Sequence, residues 1–118
     1  MDRREVFDKV KTHLLAQGKP AYSFDDDGLA SGCMYHGNTG LKCAIGCLIP
    51  SYHYTTEIEG KGVDSLAVCA ILKDIGIPVD AVSMAMYEEL QETHDVVDPD
   101  NWAERIDEIE EQFFGESR

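Results

Sequence analysis

The spacing of apolar residues along the chain predicts four α-helices, the first of which covers residues 2 to 17. Its apolar positions recur every three or four residues, as one face of a helix requires. They are Val6, Val10 and Leu14. Asp2 and Glu5 stand three residues apart, which is the spacing of a capping box. Gly18 follows the last turn, where a glycine commonly ends a helix.

Three further helices are predicted in the second half of the chain, each with an aspartate at its start. Asp64, Asp80 and Asp98 are placed to accept hydrogen bonds from the free N–H groups of a first helical turn. Pro99 suits the first position of the last helix. The three apolar stripes are Val68, Ile71, Leu72 and Ile75; Val82, Met86 and Leu90; and Trp102, Ile106, Ile109 and Phe113.

The region after the first helix has no helical period. Residues 21 to 31 contain three aspartates before Gly28, so we expect a loop there. Two apolar segments, residues 33 to 35 and 41 to 49, flank a glycine-containing stretch and predict a small β-hairpin. The second segment fits a strand or a buried helical turn equally well, and Pro50 ends it in either case.

These elements predict a mainly α-helical single domain over residues 1 to 118, with a small hairpin, at the margin of the α+β class. The length of 118 residues and the hydrophobic content of 43% allow one core, which Ile45, Leu48 and Ile49 join. No apolar run approaches the roughly 20 residues of a membrane span. The N-terminus lacks the apolar region of a signal peptide, so we expect a cytoplasmic protein.

The formal net charge of −13 is concentrated toward the C-terminus. Residues 1 to 59 hold 8 acidic and 6 basic side chains, whereas residues 79 to 118 hold 13 acidic and 2 basic ones. A strong negative charge opposes the approach of nucleic acid and of anionic lipid. We therefore expect neither direct nucleic-acid binding nor membrane binding.

The last two predicted helices hold the carboxylates that we expect to bind a partner. Glu110 and its acidic neighbours occupy the faces of the final helix that the apolar stripe leaves free, so we expect them to point outward. Such a face suits a basic surface on a partner protein, for example a nucleic-acid-binding enzyme, by imitating phosphates. The other interpretation is a solvated helix face. The expected contact residues are Glu88, Glu89, Glu92, Glu104, Asp107, Glu108 and Glu111.

A cluster of cysteine and histidine residues supports an alternative function. Cys33, His36, Cys43 and Cys47 have the spacing Cys-x2-His-x6-Cys-x3-Cys, and these residue types bind zinc. A metal- or small-ligand-binding module centred on the hairpin is therefore the alternative hypothesis. The spacing matches no common zinc signature, and burial of small apolar thiols is the other account of the cluster. We expect no catalytic residues, no cofactor and a non-enzymatic protein.

Part of the chain resembles a group of phage proteins. The resemblance is carried by residues 33 to 35 (CMY) and 40 to 50 (GLKCAIGCLIP), with further likeness at residues 59 to 61, at His94-Asp95 and at Trp102. These segments are similar to small uncharacterised proteins found in phages and prophage regions. The resemblance implies a mobile-element protein that inhibits or modulates a host protein, and it supplies no mechanism.

Overall fold

A computed structural model describes residues 2–18, 22–24, 30–33, 42–54, 58–59, 62–63 and 65–115. These residues form four α-helices and one antiparallel pair of strands, so the chain is mainly helical. In chain order the elements are α1 (Arg3–Gln17), β1 (Tyr22–Phe24), β2 (Ala30–Cys33), α2 (Leu66–Asp74), α3 (Ala81–Val96) and α4 (Trp102–Phe114).

Both ends of α1 confirm the sequence-based prediction. The Asp2 side chain accepts a hydrogen bond from the Glu5 backbone N–H over 2.8 Å, and the Glu5 carboxylate accepts one from the Asp2 N–H over 3.0 Å. The helix ends at Gly18, whose φ of 69° lies in the left-handed region that glycine adopts without strain. The capping box and the glycine together fix the length of α1.

The strands lie where a loop was expected. β1 pairs antiparallel with β2, with Tyr22 opposite Cys33 and Ser23 opposite Gly32, and the register shifts after Ser23. The prediction of a loop over residues 21 to 31 is therefore wrong for the two strands. Segments of three and four residues are too short to show a clear alternation of polar and apolar positions, which is why the pattern missed them.

The hairpin expected over residues 33 to 49 is not confirmed. Residues 34 to 41, which include the predicted turn, lie outside the described part of the chain. The described residues of the second arm form a helical turn instead of a strand. The Leu48 N–H donates to the Ile45 carbonyl over 3.0 Å and the Ile49 N–H to the Gly46 carbonyl over 3.1 Å, so residues 46 to 48 form a 3-10 turn.

The N-cap of α2 lies one residue after the predicted one. The Ser65 side chain accepts a hydrogen bond from the Val68 N–H over 3.3 Å, and Asp64 lies outside the described residues. Serine is a strong N-cap residue for the same reason as aspartate, since its oxygen replaces a missing backbone acceptor. The helix is followed by Gly76 with a φ of 83°, a conformation that favours glycine.

α3 and α4 pack as neighbours, and the inward face of α3 differs from the predicted stripe. Asp80 caps α3 as expected, with its carboxylate accepting from the Ser83 N–H over 3.2 Å. Val82, placed in the core by the sequence pattern, is 49% exposed. The buried face keeps Met86 and Leu90 of the predicted stripe and adds Ser83, Tyr87, Thr93 and His94, so its centre lies away from Val82.

A short 3-10 turn over Pro99–Asn101 joins α3 to α4. The Asp98 carboxylate accepts from the Asp100 N–H over 3.0 Å, so Asp98 caps this turn and not α4 itself. Trp102 then begins α4, and its indole N–H donates to the Val97 carbonyl over 2.9 Å. The Trp102 ring lies 5.8 Å from the imidazole of His94, which joins the end of α3 to the start of α4.

One hydrophobic cluster joins all four helices and the turn at residues 46 to 48. The predicted core positions on α1 and α4 are buried, except that Phe113 is only partly so. The pattern missed several core members that stand outside helical stripes or beside them: Phe7, Cys43, Ala44, Ile58, Val63, Ile77 and Tyr87. Among the described residues, no helix combines the length and the apolar composition needed to cross a bilayer.

Candidate interaction surface on the last two helices

The outer face of α4 carries a row of carboxylates. Trp102, Ile106 and Ile109 are buried and therefore fix how the helix is turned. Because a helix rotates about 100° per residue, positions 104, 107, 108 and 111 lie on the side away from these residues. The four exposed side chains of this row, here called the α4 row, are Glu104, Asp107, Glu108 and Glu111.

Cations of α1 occupy one flank of the α4 row. The Arg4 guanidinium lies 2.5 Å from the Glu110 carboxylate, and the Lys11 ammonium lies 3.8 Å from Asp107 and 3.9 Å from Glu110. The expectation that Glu110 points outward is wrong, because its side chain is only 22% exposed and faces α1. Position 110 follows buried Ile109, so its side chain lies at the edge of the packed face.

Arg105 occupies the opposite flank of the row, between α4 and α3. Its guanidinium binds the Glu89 carboxylate of α3 and lies 3.6 Å from Glu108, one turn along its own helix. Glu89 is therefore partly neutralised in the seam between the two helices. His94 near the end of α3 contacts Trp102 at the start of α4, and Glu89 earlier in α3 contacts Arg105 later in α4. The two helices are therefore antiparallel.

Three of the seven expected contact residues have no cation beside them. Glu88 and Glu92 on α3 and Glu104 on α4 are exposed, and none of them forms an ion pair with any described residue. Glu88 and Glu92 stand one turn apart, as do Glu104 and Glu108, so each pair repels. Among the described residues, the expected set thus contains Glu89, Asp107 and Glu108, which lie near a cation, and Glu88, Glu92 and Glu104, which face outward without an ion pair.

A polar cluster on α3 extends from the buried His94 to the more exposed Asp95 and Gln91, and the sequence pattern did not identify it. His94 is fully buried, and its Nδ1–H donates to the Asp95 carboxylate over 2.7 Å. The same Asp95 oxygen accepts from the Gln91 amide over 2.8 Å, while the Gln91 oxygen accepts from the Ile45 N–H over 3.2 Å. The sequence shows that His94 and Asp95 are adjacent. It does not show that Asp95 binds Gln91, whose side chain connects α3 to the residue 43–49 segment.

Hydrogen bonds to the Lys42 backbone, directly before the residue 43–49 segment, connect this segment to α1. The Lys42 carbonyl accepts from His13 Nε2 and from the Gln17 amide, each over 2.8 Å, and the Lys42 N–H donates to the Gln17 oxygen over 3.0 Å. Burial lowers the pKa of His13, because the charged imidazolium loses hydration. These bonds place the cysteine-containing turn between α1 and α3.

Two of the four candidate metal ligands are described, and both are engaged locally. The Cys43 sulfur is buried and accepts the Gly46 N–H over 3.2 Å, and the Cys47 thiol donates to the Ala44 carbonyl over 3.1 Å. Burial raises the pKa of both thiols, that of Cys47 to about 12, so the thiolates that zinc requires are disfavoured. The Cys33 side chain and His36 lie outside the described part of the chain, within which no group of three ligands is placed to hold a metal ion.

Comparisons of this chain with known protein families, with curated proteins and with solved structures found no match. The candidate surface is therefore defined by its own geometry: two antiparallel helices, four outward carboxylates on α4, two more at Glu88 and Glu92, and Arg105 between the helices. This arrangement can attract and orient a cationic surface.

Proposed function

We propose that this protein is a non-enzymatic interaction protein that binds and modulates a basic surface of a host protein through the outer faces of α3 and α4. The resemblance to phage and prophage proteins supports a host protein as the partner. A nucleic-acid-binding enzyme is the class of partner that best fits a row of carboxylates, since such enzymes carry basic channels.

One observation carries the proposal: among the described residues, the cations at the flanks of α4 lie near some of the acids, whereas Glu88, Glu92 and Glu104 face outward without an ion pair. Arg4, Lys11 and Arg105 all contact carboxylates at the flanks of α4. Glu88, Glu92 and Glu104 keep their charge exposed on a molecule with a net charge of −13. A cationic partner removes the repulsion that these residues exert on one another.

The spacing of carboxylates along α4 can be compared with the spacing of phosphates along duplex DNA. From Glu104 to Glu111 the helix rises about 10 Å, at 1.5 Å per residue, and carries four outward carboxylates. Duplex DNA presents about six phosphate charges over that length. Asp107 and Glu108 are partly neutralised by neighbouring cations. The α4 row therefore supplies part of a phosphate ladder, and Glu88 and Glu92 on the adjacent helix extend the anionic surface.

Affinity capture with salt variation tests the proposal. The immobilised full chain is exposed to lysate of the bacterial host at about 50 mM and about 500 mM salt, and enriched proteins are purified and assayed individually. We expect a partner with a basic surface whose affinity falls at least tenfold at the higher salt. Duplex DNA added to the purified complex should displace the protein if the contact surface is a nucleic-acid channel.

A charge-matched pair of variants separates local recognition from overall charge. Glu104→Lys and Asp74→Lys each change the net charge by the same amount at an exposed position, on α4 and at the end of α2 respectively. We expect Glu104→Lys to weaken binding several-fold and the triple reversal of Glu104, Glu108 and Glu111 to abolish it. Equal effects of the two single variants, or binding unaffected by salt, would refute recognition through α4.

A further inference from the structure

A groove separates α3 from the segment at residues 62 and 63. It encloses about 290 Å³, and Val63 and Val96 form apolar parts of its wall. Val96, the last residue of α3, is 72% exposed, whereas Val63 is buried. The volume of the groove lies just below the range of roughly 300 to 1,000 Å³ that small-molecule pockets occupy, so the groove suits one side chain of a partner.

Carboxylates of α3 surround the apolar wall of this groove. Glu88, Glu92 and Asp95 all line it. Asp95 is held in place by His94 and Gln91, whereas Glu88 and Glu92 have no ion pair with any described residue. The groove therefore offers one fixed carboxylate and two that can adjust to a ligand.

The combination of apolar wall and acidic rim restricts the chemistry of the occupant. A neutral aliphatic side chain would leave Glu88 and Glu92 repelling each other, and a small inorganic cation would leave Val96 uncovered. A side chain with a long aliphatic stem and a cationic head satisfies both parts, because its stem packs on valine while its head remains among carboxylates. Arginine adds a planar fork that binds two carboxylates at once.

We infer that this groove is the anchor site of the interaction surface and receives one arginine side chain of the basic partner. This inference rests on the proposed function and adds the residue type that the partner presents. The α4 row then supplies long-range attraction, whereas the groove supplies a specific contact that salt weakens less, since apolar packing contributes to it.

Titration of the full-length ¹⁵N-labelled protein with a short peptide tests the anchor site. The probe is acetyl-Leu-Arg-Leu-amide, compared with the same peptide containing lysine and with the neutral isostere citrulline in place of arginine. We expect the arginine peptide to shift the backbone amide signals of residues 63, 88, 92 and 96, to bind at least threefold more tightly than the lysine peptide, and the citrulline peptide to produce no shift. Equal binding of lysine, shifts with citrulline, or shifts confined to α4 would each overturn the assignment.

Variants then connect the groove with its occupant. Glu92→Gln and Val96→Ser alter exposed positions and should each weaken binding of the arginine peptide at least threefold, while Asp74→Asn, which removes the same charge at the exposed end of α2, should leave its affinity unchanged. Circular dichroism confirms that each variant is folded. If Glu92→Gln and Val96→Ser have no effect while the α4 reversals still abolish capture of the partner, the anchor site is wrong and the proposed function stands. If the α4 reversals also have no effect, the proposed function fails as well.

Discussion

At the scale of single residues, burial determines what the cysteines of this protein can do. The Cys43 thiol is shielded from water, and the N–H group of Gly46 points at its sulfur. That N–H favours the thiolate, but the loss of hydration outweighs it and the pKa of Cys43 rises. The same balance raises the pKa of Cys47 to about 12. Both residues therefore behave as small apolar side chains rather than as nucleophiles.

Thiol labelling tests this account. We expect Cys43 and Cys47 to resist iodoacetamide in the folded protein from pH 7 to about pH 10, because a raised pKa keeps the thiol protonated throughout that range. Mass spectrometry of the digested protein locates the modified residues. Full labelling after denaturation in urea is the control for reagent access. Rapid modification of Cys43 at pH 8 in the folded state would contradict the structure.

At the scale of elements, Arg105 is the cation that the described residues place between the acidic helices α3 and α4. Arg105 binds Glu89 across the seam and approaches Glu108 on its own helix, so it neutralises charge on both sides. The Arg105 and Glu89 side chains are about a third exposed, which limits the strength of the pair through solvent screening. Arg105 therefore contributes chiefly by preventing repulsion between two acidic helices.

A double-mutant cycle measures this contribution. Arg105→Ala, Glu89→Ala and the double variant are compared with the parent protein by urea unfolding monitored with circular dichroism. We expect a coupling free energy of about 0.5 kcal/mol for the pair. Arg105→Ala alone should cost more than Glu89→Ala, because it leaves Glu89 and Glu108 without their cation. The reverse order would show that Arg105 does not relieve repulsion in the seam.

Local chemistry explains which elements the sequence predicted. Asp2, Gly18 and Asp80 act on backbone groups within a few residues, so their roles in starting or ending helices are visible from spacing alone. The predicted outward acids of α4 follow from the strong stripe of Trp102 and its neighbours. The side-chain partners of Glu110 and the burial of His94 depend on contacts between distant segments, which no local pattern contains. The same limit explains why Val82 was placed in the core.

At the scale of the whole molecule, repulsion among carboxylates opposes folding. The chain has 23 acidic and 10 basic side chains, so the compact state gathers more like charge than its ion pairs neutralise. Salt at about 0.1 M screens exposed charges beyond roughly 10 Å, so it weakens the repulsion between outer acids about two helical turns apart or on different helices more than that between adjacent turns. Screening should therefore remove more repulsion between exposed acids than attraction within the seams.

The dependence of stability on salt follows from this balance. We expect the urea concentration at the unfolding midpoint to rise when sodium chloride increases from about 0.02 M to about 0.3 M. The isosteric triple variant Glu88→Gln, Glu92→Gln and Glu104→Gln removes three outward charges without a paired cation, so its midpoint should be higher at low salt and change less with added salt. A midpoint that falls with salt would show that the ion pairs of Arg4, Lys11 and Arg105 dominate.

The position of the single tryptophan has a practical consequence. Trp102 is 1% exposed, stands at the junction of α3 and α4, and rests against the imidazole of His94. Its fluorescence should therefore be blue-shifted in the native protein and should move to longer wavelength when this junction opens to water. Trp102 fluorescence therefore reports changes at the junction of α3 and α4, the two helices of the proposed recognition surface, without an attached dye.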